Sequence, residues 1–359
     1  MARIGIVGGG HTGTVYAAYL AHRGHSVVLY THRPEQWSST LTLEDKVAGE
    51  RYEAELKEVT SNPAVLAAET DMIFVTLPVY ALGEFSHTIS RHISPKHTFY
   101  LSPGNSAREY EVKPLVERGA AVVGLERVVF ISRAICYGHA AVLSGTKPEL
   151  VCGVLGGGSE ALESLEQLFN IPVRAAQSYF PISLGASNPI LHSSRLRALV
   201  GSGSPDREFK CNPMFYETWD TVSSQYFFEM DEERIRVARA YPELGGENVV
   251  RLTDYYESST PDALTKKISG IPAFAGISSP MRRSAGGFRM DYGSRYFTED
   301  IAFGLAQISQ LGAYAQIPTP HIDAMLSWAF SLMDPSTKRL QLRHKGIDSY
   351  AAVVSYYLR

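Results

Sequence analysis

Residues Arg3 to Arg33 constrain this chain more tightly than any other stretch. Ile4-Gly5-Ile6-Val7 is a short apolar run of the kind that forms a buried parallel strand. Gly8-Gly9-Gly10-His11-Thr12-Gly13 follows in the pattern G-x-G-x-x-G, then a small-residue apolar helix through Val15, Ala17, Ala18, Leu20 and Ala21. Gly24-His25 breaks that helix, and Ser26 to Tyr30 reads as a second strand. Gly8 permits the tight turn, Gly10 leaves room for a pyrophosphate to approach the backbone, and Gly13 lets the helix pack close to the strand. The first helical amides, from His11 and Thr12 onward, then face the phosphates. Strand, glycine loop, helix and second strand agree with one another, and together they predict a Rossmann dinucleotide site.

An NAD site usually carries Asp or Glu at the end of the second strand, where it accepts from the ribose hydroxyls. Here the strand closes on Tyr30-Thr31-His32-Arg33. Thr31 and Arg33 can donate to a 2′-phosphate, and a guanidinium can stack on adenine. NADP(H) is therefore the expected cofactor, with NAD(H) as the alternative; the bland reading is a solvated basic loop. Asp71 to Pro78 is a buried strand stopped by proline. In a doubly wound sheet its end lies over the cofactor, which puts Leu77 and Pro78 at the site.

At 359 residues the chain exceeds what one core usually serves, so two domains are expected. A net charge of −3 argues against nucleic acid or an anionic membrane as a main partner. No apolar run reaches transmembrane length, and the strand starting at Arg3 leaves no room for a signal peptide. Cys136, Cys152 and Cys211 are odd in number and lack metal-ligand spacing. They predict a cytoplasmic protein without a metal, each cysteine a small core residue.

Residues 41–70 are polar and charged and read as peripheral connecting structure. A helix is expected over Tyr80–Ile93, a strand over Thr98–Leu101, then a turn-rich loop through Asn105 and a strand over Ala120–Leu125 before Glu126. Arg133–Thr146 and Glu149–Leu155 alternate like strands. Gly156-Gly157-Gly158 is a turn, Ser159–Phe169 a helix, and Ile171–Ala175 a last strand. From residue 181 the pattern turns helical. Ser187-Asn188-Pro189 looks like a capped helix start with proline at the first helical position. Residues 203–213 read as a loop, Thr221–Tyr241 and Pro261–Ile268 as helices, and Gly270 to Gly293 as a long functional loop. A helix begins at Thr298 or Glu299, and another spans His321–Met333. The class is α/β, an N-terminal Rossmann doubly wound sheet over residues 1–180 and a mainly α-helical C-terminal domain over 181–359. In such a plan, substrate sits between the domains.

Two stretches of the second half are recognisable together. One is Ser187-Asn188-Pro189-Ile190-Leu191-His192; the other is Arg295-Tyr296-Phe297-Thr298-Glu299-Asp300-Ile301, followed by Gly304-Leu305. With Ile317 to Asp323, Pro213 to Tyr216 and Gly270 to Pro280, the chain resembles the octopine/nopaline (opine) dehydrogenase family over nearly its whole length. That resemblance implies NAD(P)H-dependent condensation of an amino acid's amino group with a 2-oxo acid such as pyruvate, through an imine, to an N-(carboxyalkyl) amino acid. It also implies a His192/Asp300 acid–base pair, Arg295 as the carboxylate-binding arginine and Asn188 as the active-site asparagine. Asn105 and Glu126 would contact the oxo acid and the amino acid, and Ser132 stands where some members carry cysteine. A homodimer is expected. Arg295 has a plainer alternative, an ion pair with Glu299 or Asp300; Asn188 could be only the helix cap, and Glu126 only solvated. The neighbouring enzyme class, a 2-dehydropantoate-type ketone reductase, generally relies on a lysine, and the only lysines near these motifs are Lys266 and Lys267.

Overall fold

The computed structural model describes residues 1–157, 160–201 and 206–358. The expected turn at Gly158, the helix start at Ser159 and residues 203–205 of the expected loop lie outside the described residues. The chain divides into two compact units, one of residues 1–183 with the chain end from Tyr357, the other spanning Leu184–Tyr356.

The first unit is built on an eight-stranded sheet. Its strands are β1 (Arg3–Val7), β2 (Ser26–Tyr30), β5 (Glu58–Thr60), β6 (Met72–Val75), β7 (Thr98–Leu101), β8 (Ala121–Leu125), β11 (Leu150–Leu155) and β12 (Val173–Ala175). Their order is β12-β11-β8-β7-β6-β1-β2-β5. The pairs from β5 to β8 are parallel and β11 runs antiparallel to β8. Strand order reverses at β1, between β2 and β6, which opens a ligand crevice at the carboxyl ends of β1 and β6. Around the sheet lie α1 (His11–His22), α2 (Pro63–Glu69), α3 (Val79–Ile89), α4 (Arg108–Glu111), α5 (Lys113–Val116) and α6 (Glu160–Phe169). Tyr16, Phe74, Phe130 and Phe169 meet edge to face or tilted inside this core.

Residues 41–70 are not peripheral. They hold β5, α2 and a second sheet of order β4-β3-β10-β9, formed by β3 (Thr40–Asp45), β4 (Glu50–Glu55), β9 (Phe130–Cys136) and β10 (Ala140–Thr146). One face alone is buried, through Leu41, Leu43, Ala54, Ala141 and Leu143. A strand buried on one side reads as half polar, and this hid the pattern. Cys152 is buried as expected, but Cys136 and Cys211 are exposed. Cys136 ends the edge strand β9 and Cys211 lies in a loop, so neither has a core to enter.

The second unit is mainly helical: the end of α7 (Phe180–Leu184), then α8 (Asn188–Val200), α9 (Thr221–Arg239), α10 (Leu252–Tyr255) and α11 (Pro261–Ser269). A small sheet joins β13 (Glu208–Phe209), from the stretch read as a loop over 203–213, to β14 (Met281–Ser284) and β15 (Gly287–Met290), a hairpin in the stretch read as a long loop. A ten-residue π-helix, Tyr296–Leu305, runs into α12 (Ala306–Tyr314), followed by α13 (Pro320–Leu332) and α14 (Tyr350–Tyr357). Helix α8 is buried nearly all round, from Pro189 to Leu196, as befits the central element of a helical core. The fully buried Arg234 is satisfied by Asp231 at 2.7 Å, Leu184 O at 2.8 Å and Val250 O at 2.7 Å. Asp231 in turn accepts from the Leu252 amide at 2.9 Å. Among the described residues no helix is long and apolar enough to cross a membrane.

Candidate active site

The glycine loop after β1 meets its steric demands in three different ways. Gly8 has φ +104°, a backbone state that side chains resist. A Cβ on Gly13 would lie 1.9 Å from the carbonyl oxygen of Gly8, so α1 could not sit against the strand. A Cβ on Gly10 would meet nothing within 4 Å, because that side of the loop is open. Gly9, which the motif leaves unspecified, packs on the Trp37 indole, where a Cβ would come within 2.4 Å of the ring. Gly10 is the N-cap of α1, so the first helical amides carry no intrahelical acceptor.

A cavity of about 350 Å³ opens beside this loop, lined by Gly8, Gly9, Gly10, Tyr30, Thr31, His32, Arg33, Leu77 and Tyr137. Of the residues expected at the cofactor, Gly8, Gly10, Thr31, Arg33 and Leu77 line it, and none of the lining residues is acidic. Thr31 is buried and its hydroxyl accepts from the Arg33 amide at 3.4 Å; the Arg33 side chain is exposed. His11, Thr12, Gly13 and Pro78 do not line the cavity. His11 is turned toward the second sheet of this unit, where its Nδ1 accepts from the Ala134 amide on β9 at 2.9 Å. Pro78 precedes α3 as its N-cap. Tyr137, at the β9–β10 turn, had no sequence signal, because its approach depends on the second sheet.

Asn105 and Glu126, read separately from the sequence, are brought together in the first unit. Asn105 Nδ2 donates to the Glu126 carbonyl at 3.1 Å. Gly104 N donates to Leu125 O at 2.7 Å and Tyr179 Oη donates to Gly104 O at 2.8 Å, which fastens this loop to the end of β8. Ser132 lies half-buried on β9.

In the second unit, His192 comes from α8 and Asp300 from the π-helix, 108 residues later. His192 Nδ1 and Asp300 Oδ2 are 2.7 Å apart and both side chains are buried. The sequence predicted an ordinary helix here; the π-form begins at Tyr296 instead, and such turns often mark functional sites. Tyr296 packs edge-on to the His192 ring at 4.3 Å and stacks on Phe215 at 5.0 Å. Burial and the Asp300 charge push its phenol up to about 12. Sequence reasoning missed Tyr216, whose Oη is 2.8 Å from His192 Nε2. It lay within a family-like segment, but nothing local tied it to the histidine.

Arg295 spans Glu299, donating from Nε at 2.8 Å and Nη2 at 2.5 Å to Oε2, and its side chain is 63% exposed. Asn188 is exposed. It is the first residue of α8 and not its cap: Ser187 is the N-cap, without a side-chain bond, and Pro189 occupies the second helical position. His192 therefore falls in the second turn. Lys267, one of the lysines weighed for carbonyl chemistry, pairs with Glu257 at 2.5 Å on the exposed face of α11.

The family profile "NAD/NADP octopine/nopaline dehydrogenase, alpha-helical domain" matches residues 175–333, which include both His192 and Asp300. The profile "Ketopantoate reductase PanE/ApbA" matches residues 4–125, within the Rossmann-like unit. The chain is 26% identical to the opine dehydrogenase of Arthrobacter sp. (strain 1C), covering 93% of this chain and 91% of that one. It is 25% identical to the tauropine dehydrogenase of Arabella iricolor, over 93% and 92%. A solved octopine dehydrogenase in complex with NADH and agmatine superposes with a TM-score of 0.85 at 19% identity, over 99% and 98% of the two chains. Over residues 175–333 the chain belongs to the octopine/nopaline dehydrogenase family. It is an NAD(P)-dependent oxidoreductase acting on a CH–NH bond, and the ketone-reductase alternative is the less supported one.

Proposed function

We propose that this opine dehydrogenase uses His192 as its acid–base, Asp300 as the orienting carboxylate, Arg295 as the carboxylate clamp and NADP(H) as its preferred cofactor. The observation that carries the reading is the buried 2.7 Å pair of His192 and Asp300, joining the two family motifs. Condensing an amino acid with a 2-oxo acid needs a base that takes a proton from the ammonium and an acid that protonates the departing hydroxyl. An imidazole does both, and a buried carboxylate on Nδ1 fixes its tautomer and stabilises the imidazolium.

Arg295 offers a planar donor set suited to a carboxylate. Glu299 holds its Nε/Nη2 edge and so fixes the plane of the guanidinium. Asn188, exposed at the start of the same helix as His192, is free of the capping role and remains a polar group for substrate. Asn105 and Glu126 form one polar corner of the first unit, consistent with the oxo-acid and amino-acid contacts proposed for them.

The residues of the glycine loop fit a dinucleotide. Gly8 and Gly10, with the first amides of α1, would hold the pyrophosphate, while Thr31 and Arg33 would hold a 2′-phosphate in a cavity wall without a carboxylate. Leu77 would pack on the cofactor. When bound, the cofactor supplies hydride to the imine carbon. The free cysteines fit a reducing cytoplasm.

The test is single-turnover NADPH oxidation with a matrix of amino acids against pyruvate, glyoxylate, oxaloacetate and 2-oxoglutarate. His192→Ala should lower the rate by about a hundredfold or more. Asp300→Ala should cost a similar factor, and the double variant little beyond either one. Oxidation that needs no amino acid, or fully additive losses, would overturn the reading.

A further inference from the structure

Both ring nitrogens of His192 are already engaged: Nδ1 by Asp300 at 2.7 Å and Nε2 by the Tyr216 hydroxyl at 2.8 Å. With Nδ1–H donating to the carboxylate, Nε2 carries the lone pair and the Tyr216 O–H donates to it. The nitrogen that must collect a proton is therefore covered by a phenol. Tyr216 is itself buried, stacked on Phe274 at 4.1 Å and edge-on to Phe215 at 4.9 Å. Its position is fixed from outside the pair as well. Arg195, one turn beyond His192 on α8, donates to Phe215 O at 3.0 Å, to Thr218 at 2.5 Å and to Asp220 at 3.1 Å. Asp220 also caps α9 through the Ser223 amide at 2.7 Å. The segment carrying Tyr216 is thus bolted to the helix that carries the histidine.

We propose that Tyr216 is a catalytic proton relay, through which His192 Nε2 exchanges protons with the substrate; this rests on the acid–base reading of His192 given above. As an ammonium N–H proton passes to Tyr216 Oη, the phenolic proton passes to Nε2. The substrate becomes a free amine, the tyrosine remains a phenol and the histidine becomes an imidazolium held by Asp300. At dehydration the same path runs in reverse. The imidazolium proton moves to Oη and the phenolic proton to the carbinolamine oxygen; the C–O bond breaks with loss of water, and the nitrogen lone pair closes the C=N bond to give the iminium. Burial, with the neighbouring Tyr296, Tyr256 and Asp300, raises the Tyr216 phenol far above its ordinary range. A raised phenol disfavours tyrosinate, and the relay moves both protons in one step.

The experiment is Tyr216→Phe in the full chain, which removes only the hydroxyl. Expected are unchanged NADPH affinity and thermal stability, a fall of about a hundredfold or more in single-turnover rate, the usual scale for a general acid–base, and a proton inventory in mixed H2O/D2O that changes from curved (two protons) to linear (one). A variant as fast as, or faster than, wild type would show that Tyr216 only covers the histidine and would overturn the relay, as would an inventory unchanged from wild type. His192→Ala distinguishes the two claims: retained activity there removes the acid–base reading itself, whereas an inactive His192→Ala beside a fully active Tyr216→Phe removes only the relay. Should Tyr216→Phe lose stability, Arg195→Lys, which loosens the segment while keeping the hydroxyl, is expected to slow turnover without straightening the inventory. A linear inventory in that variant would overturn the assignment.

Discussion

At the glycine loop of the first unit, backbone sets the fit: Gly8, Gly9 and Gly10 line the cavity, a Cβ on Gly10 would meet nothing within 4 Å, and the Gly8 carbonyl admits no side chain on Gly13. At the histidine of the second unit, the groups proposed for the chemistry are side chains: an imidazole, a carboxylate and a phenol from residues 192, 300 and 216. The first arrangement is closed within a few residues of sequence, so its parts constrain one another locally. The second exists only because α8, the π-helix and the 213–220 segment pack together. Backbone recognition suits a phosphate, whose charge needs donors in number. Acid–base chemistry needs one group of the right tautomer, and that takes partners from afar.

Three experiments break or sharpen this comparison. The largest effect is expected where the side-chain-built unit is tied internally. Asp231→Ala leaves the fully buried Arg234 guanidinium without its counter-ion and the Leu252 amide without its acceptor. A loss of about 3–5 kcal/mol follows from uncompensated buried charge, measured by urea unfolding. A change below about 1 kcal/mol would show that this unit does not depend on such ties.

Next comes the backbone-built site. Gly13→Ala forces a Cβ against Gly8 O, while Gly10→Ala meets no protein atom within 4 Å. The first should lower both the melting temperature and NADPH affinity, the stability loss being about 1–3 kcal/mol, the scale of overpacking. The second should leave the melting temperature in place and weaken only NADPH. Equal behaviour of the two in calorimetry and fluorescence titration would erase the distinction drawn between packing and recognition within one motif.

The smallest effect concerns the one place where side chains decide recognition in the first unit. Thr31→Asp with Arg33→Ala puts a carboxylate where the cavity wall has none. One charge-assisted bond contributes about 1.5–3 kcal/mol, so the ratio of kcat/KM for NADPH over NADH should fall by about tenfold to a hundredfold. A wild type indifferent to the 2′-phosphate, or a variant unchanged with NADPH, would assign Thr31 and Arg33 to the strand end alone.

Sequence alone determined β1, α1, β2, β6, β7 and β8 of the Rossmann unit, since a buried parallel strand, a glycine loop and an apolar helix each follow from local composition, but it missed β5 and α2. It also brought His192, Asp300 and Arg295 into view, through the resemblance of two motifs to a known family. The second sheet stayed hidden because strands buried on one face average to polar, and the β14–β15 hairpin because glycine and serine read as loop. Tertiary structure alone decided that Tyr216 closes on His192 Nε2, that Glu299 takes one edge of Arg295, that Asn105 reaches the Glu126 carbonyl, and that Tyr137 enters the cavity beside the glycine loop. Each of those contacts joins groups whose separation along the chain carries no periodicity, or whose partner is one of several equally near in sequence. Local propensity cannot choose among them; packing does.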